Sequence, residues 1–293
     1  MKKHLLFLSL FIGFAIGLVG GGSGLTNKFH AHPVAAKSEL RAISVSNANT
    51  TTSVPVPSVN APTPLPVSNA SVEQVIQNLN AKSISEIKST WLHIQERQVF
   101  DTDLPNNGVL PNGMAIPNEQ INDTWYHVND QGLVIETVSI MRTTDGQVVQ
   151  VGVSSNGTGW NSATDEIGAQ EQFNLVGLDG GFLGDLMWLE TFGKKPELVN
   201  ITLPNRHPGV QVTILDKFDT PMKGDAYSKP AVSAETRATF DSVTGYLISK
   251  ETMFWFEDGS SRVFSRVIQE ITIESPTTEA LSYLDEKERM VSK

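Results

Sequence analysis

The chain of 293 residues contains no cysteine. This absence excludes a disulfide framework, thiolate metal sites, a cysteine nucleophile and the lipidated cysteine of a bacterial lipoprotein. The folded state must therefore be stabilised by burial alone.

Basic residues are also few, with 22 lysines and arginines against 32 aspartates and glutamates and a net charge of −10. Residues 1–70 carry +4, so residues 71–293 carry −14. A surface this acidic repels phosphate backbones and anionic lipid surfaces. We therefore expect no nucleic-acid partner.

Recognisable catalytic motifs are missing as well. The sequence has no Gly-x-Ser-x-Gly elbow and no His-Glu-x-x-His helix. The glycine-rich run at 177–184 lacks the Lys-Ser/Thr pair of phosphate-binding loops and contains Asp179. Asp101 and Asp103 begin like a calcium loop, but Pro105 occupies the next ligand position. We expect no metal, no cofactor and no enzymatic activity.

Two histidines keep a catalytic hypothesis open. His93 and His127 lie on predicted strands, close to Trp91 and Trp125, and could meet across a sheet. We favour half-buried strand residues over a hydrolase in which one histidine works with a nearby acid.

The N-terminal 27 residues combine a basic start with a long apolar run. Lys2 and Lys3 precede Leu5–Val19, which is the pattern of a secretory signal. The uncharged stretch Leu5–Leu25 is about long enough to cross a bilayer as a helix. Residues 1–27 therefore predict a signal peptide or a signal anchor. The protein is expected to be extracytoplasmic, either secreted or anchored to the cytoplasmic membrane by this segment.

Residues 28–70 predict an extracytoplasmic linker. Residues 37–70 are rich in Ser, Asn, Thr and Val and contain five prolines. Such proline spacing favours an extended, semi-stiff chain. We expect one folded domain, residues 71–293, held away from the membrane.

The domain is predicted to begin with a capped helix. Ser71 and Gln74 fit a capping box, and the helix is expected to end near Ala81. Its apolar residues recur at helical spacing and form one stripe. They are Val72, Val75, Ile76 and Leu79.

Strand-like segments follow, rich in β-branched and aromatic residues and separated by turn sequences. They are Ile87–Phe100, Asp123–Asn129, Leu133–Thr143, Gln147–Ser154, Glu197–Leu203, Val210–Phe218 and Ala231–Phe240. Residues 101–122 predict a long loop. The tail from Ala280, with interleaved acids and bases, predicts an exposed helix.

Phe240–Ile273 predicts a three-stranded meander with two turns, the second at Asp258-Gly259. Successive strand residues point to opposite faces, so Phe254 and Phe256 lie on one face and Trp255 on the other. Phe264 lies just beyond the second turn. Both faces are therefore predicted to be apolar at this end of the sheet.

Phe182–Phe192 predicts a different kind of helix. Seven of its eleven residues are Phe, Leu, Met or Trp, spread around the whole circumference. Such a helix must be covered on nearly all sides. We expect it to lie with the aromatic end of the meander over one apolar face.

Together, the capped helix, the many-stranded meander and the closing Asp241-x-x-Thr244-Gly245 turn resemble the periplasmic lipoprotein-carrier superfamily of LolA type. Its wider members include mycobacterial lipid carriers and sensor domains that regulate envelope-stress sigma factors. The resemblance implies an α+β fold, in which a large curved antiparallel sheet forms an incomplete barrel with helices packed on its concave face. Phe182–Phe192 would then be a lid or plug helix over an apolar space.

Three functional hypotheses follow. The first is a non-enzymatic module that binds a lipid or an acylated or apolar peptide, in envelope lipid handling or sensing. The second is a structural or partner-docking envelope domain with a filled core, and the third is the hydrolase. The sequence identifies no protein partner. The candidate ligand or lid residues are Phe182, Leu186, Met187, Trp188, Phe254, Trp255, Phe256 and Phe264.

Overall fold

The computed structural model describes residues 71–85, 87–103, 107–175, 178, 182, 186, 195–223 and 227–292. The predicted signal segment 1–27 and linker 28–70 lie outside these residues. In the described part, no helix is both long and apolar enough to cross a membrane.

Twelve strands in the described residues form one antiparallel sheet. They are β1 Thr90–Phe100, β2 Glu119–Val128, β3 Leu133–Thr143, β4 Val148–Ser155, β5 Thr158–Asn161, β6 Glu166–Ala169, β7 Phe173–Asn174, β8 Glu197–Thr202, β9 Pro208–Met222, β10 Ala231–Asp241, β11 Leu247–Phe256 and β12 Ser261–Ile273. Their order is β6-β5-β4-β3-β2-β1-β12-β11-β10-β9-β8, and β7 pairs with β3.

The first long strand and the last lie side by side at the centre. β1 pairs with β12 from Leu92 opposite Ile273 to Phe100 opposite Ser265. The other neighbours along the sheet are successive strands, so β6 and β8 form its outer edges in the described part. The predicted α+β fold, with a large curved antiparallel sheet that is not closed into a barrel, is confirmed.

The longer predicted strands are all present, whereas β5, β6 and β7 were missed. These three strands have four, four and two residues, too few for an alternating pattern to stand out. The predicted loop 101–122 is shorter than expected because β2 begins at Glu119.

Helix α1, Val72–Ile84, forms at the predicted place and extends three residues beyond Ala81. The Ser71 hydroxyl accepts a hydrogen bond from the Gln74 backbone N–H at 3.2 Å. The Gln74 side chain does not complete the capping box, since it donates to Asn78 one turn on.

The turn between β10 and β11 fixes α1 against the sheet. The Asp241 carbonyl accepts from the Gly245 N–H at 2.7 Å, and Gly245 adopts a φ of +80°. A Cβ atom on Gly245 would lie 2.2 Å from the Leu79 carbonyl oxygen, so only glycine fits this approach. Lys82 also donates to the Ser242 carbonyl at 2.7 Å.

Helix α2, Thr278–Val291, corrects the prediction of an exposed tail. It packs on β3 and β4, and it buries Ala280 and Lys287 completely. The long stem of Lys287 allows a charged residue to contribute to a buried helix face, which the charge pattern concealed.

The two helices lie on opposite faces of the sheet. In β1, Leu92 and Ile94 share one face, and Trp91 and His93 share the other. We call the face with Leu92 and Ile94 the α1 face. The strand registers from β1 to β9 show that the residues packed under α1 lie on this same face. They are Val210, Val212, Ile214, Ala238, Phe240 and Leu247. The other face, the α2 face, carries the cluster under α2, which comprises Trp125, Val138, Ile140, Val151, Val153, Trp160 and Ala280.

Candidate functional site

The candidate residues from the apolar helix are only partly described. Phe182 and Leu186 are fully buried in the α1 cluster. The Phe182 ring lies 5.9 Å from the Phe240 ring, between centroids. Met187 and Trp188 lie outside the described residues.

Three other candidates form an aromatic cluster at the far end of the same face. Phe254, Phe256 and Phe264 are buried together with Tyr227, which precedes β10. The Tyr227 ring meets all three phenylalanine rings edge to face, at centroid distances of 5.8, 5.2 and 6.0 Å. Tyr227 therefore covers the cluster from outside the sheet.

The six candidates that the structure describes do not converge on one spot. Phe182 and Leu186 share the α1 face with Phe254, but they belong to a separate cluster. Trp255 lies in β11 between Phe254 and Phe256, so its side chain is on the opposite face, where it is 36% exposed.

Ion pairs hold Tyr227 over the aromatic cluster. The Arg262 guanidinium lies 4.8 Å from the centre of the Tyr227 ring and pairs with Asp101 and, at 2.6 Å, Asp103. The Tyr227 hydroxyl donates to the Asp101 carbonyl, and the Ser228 N–H donates to Asp103. Burial raises the pKa of Tyr227 far above its ordinary value, so the hydroxyl remains a donor.

Beyond Leu92 and Ile94 in β1, the α1 face of the central strands becomes polar. Five residues on adjacent central strands form this polar stripe, and each is at most 9% exposed. They are Glu96 and Gln98 in β1, Gln120 and Asn122 in β2, and Gln269 in β12. Glu96 lies opposite Asn122 on one side and Gln269 on the other.

The polar stripe is only partly satisfied from within. Gln120 donates to Gln98 at 2.9 Å, and Gln98 donates to Glu96 at 3.0 Å. Buried side-chain oxygens of Gln120, Asn122 and Gln269 have no hydrogen-bond partner. A buried acceptor without a donor costs about 1 to 3 kcal/mol, so three on one surface call for an occupant.

The stripe also contains Glu96, whose burial disfavours the charged form of its carboxyl. Burial raises the pKa of Glu96 above its ordinary value, against the smaller lowering effects of the Gln98 hydrogen bond and the Lys250 charge. When it is protonated, the Glu96 carboxyl can donate one hydrogen bond, so it satisfies at most one of the neighbouring oxygens.

The polar stripe was not predicted from the sequence. In β1, the buried positions 92, 94, 96 and 98 alternate without interruption, but the last two are Glu and Gln. Polar residues in a strand predict a solvent-exposed face. Only the two-residue spacing from Leu92 and Ile94, which puts Glu96 and Gln98 on the same face, could have predicted their burial.

The α2 face carries the histidines of the hydrolase hypothesis. The His93 ring stacks on Trp125 at 4.3 Å. Its Nε2 lies 3.1 Å from an Asp123 oxygen, and its Nδ1 lies 2.5 Å from a Glu274 oxygen. Burial would lower the pKa of His93, but these two hydrogen bonds outweigh it and raise the pKa.

Asp123 and His127 complete this polar group. Burial would raise the pKa of Asp123, but hydrogen bonds from His93 and Gln95 lower it. His127 stacks on Trp91 at 4.6 Å and pairs with Glu136 at 2.7 Å. Both ring nitrogens of His93 are engaged, so it offers no free nitrogen to act as a general base.

A cavity of about 440 Å³ lies at the C-terminal end of α2. It is lined by Glu286, Glu288, Arg289, Met290 and Ser292, and none of the predicted ligand residues is among them. It is not the apolar cavity that the ligand hypothesis predicts.

No family model and no curated protein matches the chain. Among solved structures, the chain is similar to the Pseudomonas aeruginosa MucA/MucB complex, at 12% identity over 71% of this chain and 60% of that chain, with a TM-score of 0.36. It is also similar to a LolA superfamily protein from Nitrosomonas europaea, at 9% identity over 72% of this chain and 97% of that chain, with a TM-score of 0.23. A third structure, a beta-barrel-like protein from Brucella abortus, matches at 11% identity over 65% of this chain and 100% of that chain, with a TM-score of 0.20.

The chain spans about three fifths of the length of the MucB structures. The resemblance to LolA-type proteins, predicted from the closing meander, is confirmed as a resemblance.

Proposed function

We propose that this protein is a non-enzymatic, extracytoplasmic module that binds an apolar or amphipathic ligand, such as a lipid or an acylated peptide, on the α1 face of its sheet. The apolar part of the ligand contacts the aromatic cluster of Phe254, Phe256 and Phe264, where it replaces the Tyr227 ring. The polar part lies over the polar stripe.

The unpartnered oxygens of the polar stripe carry this proposal. A domain whose core is completed by its own side chains pairs its buried polar groups or lacks them. Here the side-chain oxygens of Gln120, Asn122 and Gln269 are buried without donors, on the same face as the buried apolar residues Leu92 and Ile94 and the aromatic cluster. This arrangement favours a bound molecule that is apolar in one part and polar in another.

The geometry of His93 supports a non-enzymatic role. Its two ring nitrogens are both hydrogen-bonded to carboxylates, which stabilises the protonated ring. A hydrolase that used His93 as its base would need one of these nitrogens free to accept a proton from a nucleophile.

The N-terminal sequence supports an extracytoplasmic location. The basic start at Lys2 and Lys3 followed by an apolar run is typical of export. The absence of cysteine favours tethering by residues 1–27 themselves, or secretion, over lipidation. The linker 28–70 would then separate the binding module from the membrane.

A structural or partner-docking domain is the second candidate, and one observation favours it. The aromatic cluster is filled, because Tyr227 covers its three phenylalanine rings and is itself only 6% exposed. If that ring never moves, the cluster is part of a finished core and offers no contact to a ligand.

Native mass spectrometry of the protein purified from cell envelopes separates these candidates. We expect a bound species that organic extraction removes, and an apolar fluorescent probe that binds only after the extraction. The matched variants are Phe254→Ala, within the cluster, and Trp255→Ala, the next residue on the opposite face. Probe affinity should fall in the first and stay unchanged in the second. Protein without a bound species that also fails to bind the probe would support the filled-core candidate.

A further inference from the structure

The three unpartnered oxygens of the polar stripe share one chemical property. The Gln120, Asn122 and Gln269 side chains are 1%, 4% and 5% exposed, and each has a buried oxygen without a hydrogen-bond partner. Turning one of these amides by 180° would replace the unpartnered oxygen by an unpartnered NH₂ group. For Gln120 it would also break the hydrogen bond to Gln98, so this amide is fixed as an acceptor.

The register places two of these residues on either side of Glu96. Asn122 and Gln269 both lie directly opposite Glu96, one on each neighbouring strand. Neighbouring strands are about 4.8 Å apart, so the backbones of Asn122 and Gln269 are about 10 Å apart and their side chains flank Glu96. Gln120 lies two residues from Asn122 on the same face and extends the row.

The charges around the row determine which groups it can accept. Glu96 is an acid, and the remaining stripe residues are neutral amides. Ionised phosphate diester, sulfate and carboxylate groups only accept hydrogen bonds, so they would leave the same oxygens unpaired. Lys250 acts on Glu96 from β11 and is the cation that partly balances this acid. Hydroxyl and amino groups provide the missing donors.

We propose that the polar stripe selects a hydrogen-bond-donating headgroup, a hydroxyl or amino group rather than a phosphate, sulfate or carboxylate. The inference rests on the proposed function, because the headgroup is the polar part of the ligand whose apolar part contacts the aromatic cluster. It adds the class of ligand to that function.

Ordered water is the alternative occupant of the stripe. Water both donates and accepts, so it would satisfy the oxygens without any preference among headgroups. Headgroup preference is therefore the property that separates a recognition site from a hydrated core.

Three probes with the same eight-carbon chain test this preference on the purified, extracted protein. Octyl glucoside provides hydroxyl donors, octylamine provides an ammonium donor, and octyl sulfate provides only acceptors. Binding is measured by calorimetry, with each probe below its micelle concentration. We expect both donor probes to bind and octyl sulfate to bind at least about tenfold more weakly, since each unmade hydrogen bond is worth a factor of several.

Two matched glutamine variants test whether the headgroup preference arises from the polar stripe. Gln269→Leu removes an unpartnered oxygen and keeps the side-chain size, so the unliganded protein should be as stable as the wild type or more stable. Binding of the donor probes should fall about threefold to tenfold in the same variant. Gln211→Leu makes the same change on the opposite face, in β9, and should leave probe binding unchanged.

The possible outcomes distinguish headgroup selection from the binding of an apolar ligand. Equal binding of all three probes, unaltered in Gln269→Leu, would overturn the headgroup inference and leave apolar binding intact. Failure of every probe to bind would overturn both. If octylamine binds and octyl glucoside does not, the donor class is supported and narrowed to amines, and the reverse result narrows it to hydroxyls.

Discussion

The two faces of the sheet differ in how their buried polar groups are paired. On the α2 face, Lys287 is fully buried, yet its ammonium donates to the Ser155 carbonyl at 2.7 Å and to the Ser155 hydroxyl at 2.9 Å. Arg142 on β3 pairs with Glu279 of α2 at 2.8 Å. On the α1 face, the polar stripe has three oxygens without donors.

This difference indicates that the described chain supplies hydrogen-bond partners for most buried polar groups on the α2 face but not for those of the polar stripe on the α1 face. The α2 face meets a helix from the same chain whose polar groups are matched to those beneath it. The Trp125 Nε1 atom is its exception, as a buried donor without a partner. Because burying an unpaired polar group is costly, the α1 face gains most from a partner that is not part of the described chain.

Removing one aromatic ring from each face gives the largest expected effect. Trp125→Ala should cost about 3 to 5 kcal/mol of unfolding free energy, because α2 and the sheet cannot close the space. Phe254→Ala should cost less, about 2 kcal/mol, because Tyr227 lies on a connection and can move into the vacated volume. Chemical denaturation of the extracted protein measures both values.

Trp255→Ala is the control in the same strand as Phe254, and we expect it to lie within about 1 kcal/mol of the wild type because the side chain is partly exposed. If Phe254→Ala matched Trp125→Ala in its cost and left probe binding unchanged, the aromatic cluster would be ordinary core. The contrast between the faces would then disappear at this end of the sheet.

The sequence predicted best where local chemistry determines structure. The cap at Ser71, the stripe of α1 and the Asp241-x-x-Thr244-Gly245 turn are short patterns whose geometry follows from the residues themselves. Gly245 in particular lies against Leu79 as only a glycine can. The long strands were found for a similar reason, because alternation is a local property.

The candidate site was harder to predict because it depends on pairing between distant segments. Glu96, Asn122 and Gln269 are separated in the chain and become neighbours only through the β1–β2 and β1–β12 registers. Each alone predicts a solvent-facing strand position. The burial of Lys287 was missed for the same reason, since the partner Ser155 lies 132 residues away.

Replacing the acid of the polar stripe should have a smaller, pH-dependent effect. The folded-state pKa of Glu96 is raised, so its contribution to stability is greatest below the ordinary glutamate pKa and is lost as pH rises through the folded pKa. Glu96→Gln should therefore match the stability of the wild type at acid pH and exceed it once the pH has risen through the folded-state pKa of Glu96. Each unit of the shift corresponds to about 1.4 kcal/mol.

Denaturation between pH 4 and pH 9 tests this sign. Glu270→Gln, an exposed position next to Gln269 on the opposite face, is the control and should leave the pH profile unchanged. A constant offset between Glu96→Gln and the wild type at every pH would show that the carboxyl titrates as it does in the unfolded chain. The polar stripe would then be hydrated rather than closed.

Removing residues 1–70 should have the smallest effect and decides whether the chain itself covers the α1 face. The capped α1 helix and all described strands begin after Ala70, so we expect the shortened chain to unfold cooperatively within about 1 kcal/mol of the full chain. If an external ligand covers the α1 face, probe binding and headgroup preference should also be unchanged.

An apolar segment of residues 1–27 folded back onto the aromatic cluster would give the opposite result, because its removal would increase the affinity for the probe. The comparison is made by thermal unfolding and by titration with octyl glucoside, and a shortened chain that is soluble but lacks a cooperative transition would contradict the domain boundary at residue 71.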